Sequence, residues 1–90
     1  MTVLREEVSW FAGKMECVLQ KNDYKGGWQG MTVVETIQRL REEVDEVFEA
    51  FLSDPSAGVF PATPDQIIEE CVDVANFAMF LADNVAARRV

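Results

Sequence analysis

Residues 63 to 84 read TPDQIIEECVDVANFAMFLADN. The stretch opens as a helix must: Thr63 at the cap, Pro64 at the first helical position, and Gln66 three residues on to complete a capping box. Beyond that start, its apolar residues do not keep to one side. Cys71, Val74, Ala78 and Ala82 share one face, while Phe77 and Phe80 point well away from it, and Phe77 borders the side that carries Asp73. A solvated face does not ordinarily carry two phenylalanines. The pattern therefore predicts a helix covered on more than one side, with Phe77 and Phe80 meeting another helix or a second subunit. It is expected to run from 64 to about 87, where Arg88 and Arg89 suit the negative end of its dipole.

Upstream, SDPSAGVFPA interrupts helical continuation through Pro55, Gly58 and Pro61. Before it lies a second predicted helix over about 32–52, opened by TVVE with Thr32 as cap and Glu35 as the reaching partner. Ile37, Leu40, Val44, Val47 and Phe51 form its expected core face. A first helix is predicted over about 2–20, with Leu4, Val8, Phe11, Met15 and Val18 at alternating spacings of four and three. The intervening KNDYKGGWQG is rich in turn residues. No stretch alternates with a period of two. The expected fold is all-α, a single domain over 1–90 with three main antiparallel helices.

Ninety residues provide a modest core, and a chain that is 49% hydrophobic and 27% charged is globular in class. Helices exposing more apolar surface than one such chain can cover are expected to assemble into an oligomer. A net charge of −8 argues against sequence-independent nucleic-acid binding, yet admits an anionic small molecule if cations bridge the two. No apolar run reaches the roughly 18 residues of a membrane span, and the acidic MTVLREEVSW is unlike a targeting peptide. A cytoplasmic location is the expectation. Cys17 and Cys71 sit on or beside apolar stripes and read as buried thiols; with no histidine in the chain, a zinc site is disfavoured.

The chemistry of the sequence lies in its carboxylates. Glu43 and Glu46 form one pair separated by three residues, and Glu70 and Asp73 form another on the next helix. Both pairs can project toward a common point. Four converging carboxylates repel one another unless cations or protons lie between them. Oxygen-only donors suit a hard divalent cation such as Mg²⁺, with Mn²⁺ as a substitute.

These motifs, Glu43-Val-Asp-Glu46 and Glu70-Cys-Val-Asp73, resemble those of the MazG-type all-α nucleoside triphosphate pyrophosphohydrolases, a superfamily that also includes dimeric dUTPases and phosphoribosyl-ATP pyrophosphatases. EEVDEVFEAF, IIEECVDVANFAMFLADN and KNDYKGGW are similar to small single-domain members of the phage and mobile-element kind, and the likeness spans roughly residues 14 to 84. The resemblance implies a homodimer or homotetramer whose helices complete a four-helix catalytic bundle. It implies Mg²⁺ held by Glu43, Glu46, Glu70 and Asp73, and hydrolysis of a nucleoside triphosphate to the monophosphate and pyrophosphate. Glu42 or one of the four ligands, Glu43 among them, would act as general base. Asn76 would meet sugar, base or a ligating carboxylate, or else is an ordinary surface amide. Lys21 and Lys25 would meet phosphate oxygens or serve solubility, and Trp28 would stack on a base or plug the loop onto the core. Two alternatives stand beside this reading: a catalytically silent nucleotide-binding, metal-binding or structural helical module, and a narrower enzyme of the same fold acting on dUTP, dCTP or phosphoribosyl-ATP.

Overall fold

The computed structural model describes residues 2–88 and is all-helical. Helix α1 spans Glu6–Asn22, α2 spans Val33–Ala50 and α3 spans Pro64–Ala86. Single 3₁₀ turns, Asp23–Lys25 and Pro55–Ala57, lie in the two connections. Among the described residues the extended pairing amounts to one isolated bridge, Asp54 with Val59, closing a tight turn in which Gly58 adopts φ 75°.

Helices α2 and α3 begin where a side chain satisfies free backbone N–H groups. At α3, the Gln66 N–H donates to Thr63 Oγ1 and the Thr63 N–H donates to Gln66 Oε1, which completes the capping box. At α2 the first half forms, Glu35 N–H to Thr32 Oγ1 at 3.1 Å, and the reciprocal bond to Glu35 is not among those seen. Helix α1 starts four residues later than the periodicity suggests and ends two residues later. Arg5 is extended at ψ 157°, and Glu6 and Glu7 take the first turn, where their charge favours the positive end of the dipole. Before it, Val3 is 89% exposed. Of the two arginines expected near the end of α3, Arg88 follows the helix at φ 56°, and Arg89 lies outside the described residues.

Helix α3 packs against both α2 and α1, so it lies between them. Its run against α2 is antiparallel, since each step up α2 is matched by a step down α3: Arg39 meets Phe77, Glu43 faces Asp73 and Glu46 reaches Glu70. This placement explains why α3 is apolar nearly all round. Phe77 and Phe80 find partners within the chain, and Phe77 meets another helix, α2, as one of the two expectations had it. Phe80 stacks on Trp28 of the first connection, and Phe77 meets Phe80 edge-on and lies under Arg39.

The face that α2 buries differs from the one read from its sequence. Val33, Leu40, Val47 and Ala50 are partly covered, and Thr36 and Glu43 are buried, on the side toward α3. Ile37, Val44 and Phe51, expected in the core, are exposed, together with Val34 and Phe48 on the same stripe. Leu40 and Val47 belong to the expected face and are covered; the buried face as a whole is centred roughly 50° round the helix from the one read from the sequence. Pairing of Glu43 and Glu46 with α3 requires the rotation observed. On α1 likewise, Leu4 and Val8 are exposed while Phe11, Met15 and Val18 are partly covered.

The buried set is consequently polar: Val72 with Thr36, Glu43, Asn76 and Asn84. The chain exposes 6781 Å², whereas a compact monomer of 10.1 kDa exposes about 5,300 Å². Its radius of gyration of 15.3 Å likewise exceeds the about 12 Å typical of 90 residues. None of its helices is long and apolar enough to cross a membrane.

Candidate functional site: a carboxylate cluster at the end of an aromatic pocket

Because α2 and α3 run antiparallel in matched register, their two acidic pairs face one another. Oxygens of Glu43, Glu46 and Glu70 lie within 4.8 Å of one another. Asp73 falls outside that trio but is close enough for its charge to act on both Glu43 and Glu70. Glu43 is 5% exposed and Glu70 partly covered. The Oε2 atoms of both are buried without a hydrogen-bond partner. Burial, the shared hydrogen bond with Glu46, and the charges of Glu46 and Asp73 raise the Glu43 carboxyl to about 7, against a small opposing effect of Arg39. Glu70 is raised by burial, then by Glu46, Asp73 and Glu69; Asp73 is raised by burial, then by Glu46 and Glu69. Glu69 is itself exposed, and its charge adds to the repulsion.

The donor set suits a hard cation. It offers carboxylate oxygen alone, with two buried atoms lacking any partner. Octahedral coordination at about 2.1 Å sets oxygens roughly 3 to 4.2 Å apart, within small side-chain movements of the observed spacing. A buried carboxylate without a compensating partner is costly, so the unpartnered oxygens mark where a positive charge would be held.

The cluster divides two cavities. On one side, Glu43 and Asp73 open into a pocket of about 620 Å³, a size usual for small-molecule sites. Trp28, Phe77, Phe80, Asn76 and Arg39 line it, as do Glu42 and Lys25. On the other side, Glu46 and Glu70 open into a second cleft with Glu49, Glu69 and the loop around Phe60 and Pro61.

Asn76 is no surface amide. It is 3% exposed, its Nδ2 donates to the Met15 carbonyl of α1 at 3.4 Å, and its buried Oδ1 has no partner. Trp28 anchors the first connection: its ring stacks on Phe80 at 4.8 Å, its N–H donates to Asp83, and its carbonyl accepts from the buried Asn84. It also lines the pocket, so the plug and the wall are one residue. Lys25 lies at the pocket, its Nζ over Tyr24, whereas Lys21 belongs to the last turn of α1 and is not part of the lining. Glu42 is exposed and ion-paired with Arg39 at 2.6 Å.

Arg39, Asp83 and Asn84 escaped the sequence reading. For Arg39 a signal existed, since a cation three and four residues before Glu42 and Glu43 can pair with both on a helix. Asp83 and Asn84 gave none, because their partner, Trp28, is more than 50 residues away in sequence.

Fold and site together define an all-α protein with an aromatic pocket that ends in a carboxylate cluster, of which Glu43 is buried. No protein-family model, curated protein or solved structure matches the chain.

Proposed function

We propose that the chain is a Mg²⁺-dependent nucleoside triphosphate pyrophosphohydrolase of the MazG type, acting in the cytoplasm on the nucleotide pool and yielding the monophosphate and pyrophosphate. The observation that carries this reading is the pair of buried, unpartnered oxygens on Glu43 and Glu70, with Glu43 also lining a pocket that holds Trp28, Phe77 and Phe80. The base would lie against the aromatic end, Trp28 with Phe80, because every base offers a π-face. The triphosphate would then extend toward Glu43 and Asp73.

In this reading Glu43, Glu46 and Glu70 hold the cation, and Asp73 joins them by a modest side-chain movement. When bound, the cation supplies charge neutralisation at the phosphates and eases loss of a proton from water. Glu42 and Glu43 both face the pocket, and one of them accepts the proton as water adds across the α–β phosphoanhydride. Asn76 offers Oδ1 to a donor on sugar or base, and Lys25 approaches the phosphates from the loop. Lys21 has a lesser role, consistent with its place outside the lining.

A homo-oligomer belongs to the same reading. The surface excess over a compact monomer, roughly 1,500 Å², is of the size one protomer contributes to an obligate interface. Val34, Ile37, Val44, Phe48 and Phe51 on the outer stripe of α2 are the residues an associating copy would cover. A partner would also supply the helices that complete a four-helix catalytic unit.

Pyrophosphate release from a panel of canonical and modified dNTPs and NTPs, with and without Mg²⁺, tests the proposal. Release that depends on Mg²⁺ and collapses in Glu43→Gln and Asp73→Asn with the fold retained supports it; no release from any member of the panel overturns it. Activity confined to dUTP, dCTP or phosphoribosyl-ATP would identify the narrower enzyme. A silent binding module is favoured by one observation, the engagement of both candidate bases, Glu42 and Glu43, with Arg39. It predicts thermal stabilisation by nucleotide without turnover.

A further inference from the structure

Arg39 is held at three points. Its Nη1 donates to Glu42 Oε2 at 2.6 Å, its Nη2 donates to Glu43 Oε1 at 3.2 Å, and its guanidinium lies 5.1 Å from the centre of the Phe77 ring. Helix energetics alone do not account for the second contact. An arginine four residues before a glutamate is the less favourable order for such a pair, worth a few tenths of a kcal/mol at the surface. The burial of Glu43 does account for it, since a carboxylate 5% exposed needs a positive partner. Arg39 is ion-paired with both Glu42 and Glu43. It thus brings a cation to a group that also includes Glu46, Glu70 and Asp73. Two of its three anchors, Glu42 and Phe77, lie outside the carboxylate trio. The guanidinium can therefore release Glu43 while remaining seated on the ring and on Glu42, a change of one hydrogen bond and not of a rotamer.

We propose that Arg39 is the resident counter-cation of the cluster: it occupies Glu43 when no divalent cation is bound and competes with one for that carboxylate. This rests on the reading of the cluster as a divalent-cation site. Arg39 is accordingly a positioning residue that acts through Glu43. It stabilises the cation-free fold and weakens cation affinity, so that the site opens fully to the cation only as the guanidinium withdraws.

Calorimetric titration of the full chain with Mn²⁺ and with Mg²⁺ at low ionic strength, for the parent, Arg39→Gln and Arg39→Lys, tests it, together with Tm measured with and without saturating Mn²⁺. Removing one unit of positive charge beside the site is expected to tighten Mn²⁺ binding by Arg39→Gln about three- to tenfold. Arg39→Lys, which keeps the charge without the fork, should bind within about twofold of the parent. The Tm of Arg39→Gln should fall below that of the parent without cation and meet it with Mn²⁺. If Arg39→Gln does not fold unaided, the proposal requires Mn²⁺ to restore its helical circular dichroism. Unchanged or weaker Mn²⁺ binding by Arg39→Gln overturns the proposal, as does a Tm deficit of equal size with and without Mn²⁺ or a variant that Mn²⁺ does not refold. If the parent binds neither cation, the metal-site reading falls as well.

Discussion

The indole of Trp28 lies nearly parallel to the ring of Phe80, 4.8 Å between centres and 13° between planes, and so joins the first connection to the last third of α3. Its N–H to Asp83 at 2.9 Å and the bond from Asn84 to its carbonyl at 3.0 Å set the indole's place along the helix. One wall of the pocket is therefore as rigid as the helix beneath it. Trp28→Ala is expected to lower unfolding free energy by about 2–4 kcal/mol. Trp28→Phe keeps the stack and loses the bond to Asp83, for about 1 kcal/mol. Urea denaturation followed by circular dichroism measures both.

Glu43→Gln should have opposite effects on stability and on activity. Above pH 7.5 the variant no longer carries a buried charge that the cation-free fold disfavours, and its stability should rise by on the order of 1–3 kcal/mol. Pyrophosphate release with Mg²⁺ should fall about 100-fold or more, because one of the carboxylates proposed to hold the cation has lost its charge. A variant that is both active and more stable would show that Glu43 plays no part in the chemistry.

The pH dependence of the cation-free protein follows from the same group. Glu43 rises from an ordinary 4.5 to about 7 in the fold, so the folded state binds its proton more tightly than the unfolded state does. Its contribution to stability is complete below pH 4.5 and is lost as pH rises through about 7. Glu70 and Asp73, both raised, act in the same direction. Thermal melts in chelator should therefore show Tm declining from pH 5 to pH 8, and Mg²⁺ should stabilise the protein more at pH 8 than at pH 5. A Tm that climbs across this range without cation would contradict the assignment.

Asn76 is expected to respond to isosteric replacement in an unusual way. Asn76→Leu removes the long bond to Met15 but also the unpartnered Oδ1. The stability change should stay within about 1 kcal/mol, since two losses of opposite sign offset each other. Nucleotide affinity, read by calorimetry, should weaken about tenfold if Oδ1 accepts from the ligand.

Phe48 is 69% exposed on the outer stripe of α2, away from the carboxylate cluster. Phe48→Glu should convert an oligomer to monomer in light scattering at micromolar concentration and lower its Tm, whereas Ser56→Ala, in the second connection, should leave the assembly unchanged. A parent chain that is monomeric at high concentration would remove the case for assembly.

Much of this was legible from local signals. Thr63, Pro64 and Gln66 start a helix through bonds made within four residues, and Pro55 and Gly58 break one for reasons internal to the backbone. The pairing of Glu43 and Glu46 with Glu70 could be anticipated because helical spacing brings residues three apart to one side. Asp73 could be placed nearby but not within or outside the trio, since side-chain reach at that scale depends on the crossing of the two helices.

The division between sequence and tertiary structure is clearest in α2. Periodicity established that it is a helix, that it is amphipathic and that acidic pairs recur on it. It put Leu40 and Val47 on one face with Ile37, Val44 and Phe51, because the five together repeat every three and four positions, and it could not choose which side of that face turns inward. That choice belongs to α3. Only the antiparallel seating that sets Glu43 against Asp73 and Arg39 over Phe77 turns the polar stripe inward and leaves the phenylalanines outside. A helix's rotation about its own axis is settled by what it packs against, and contacts between residues 30 or more apart leave no periodic trace in the chain.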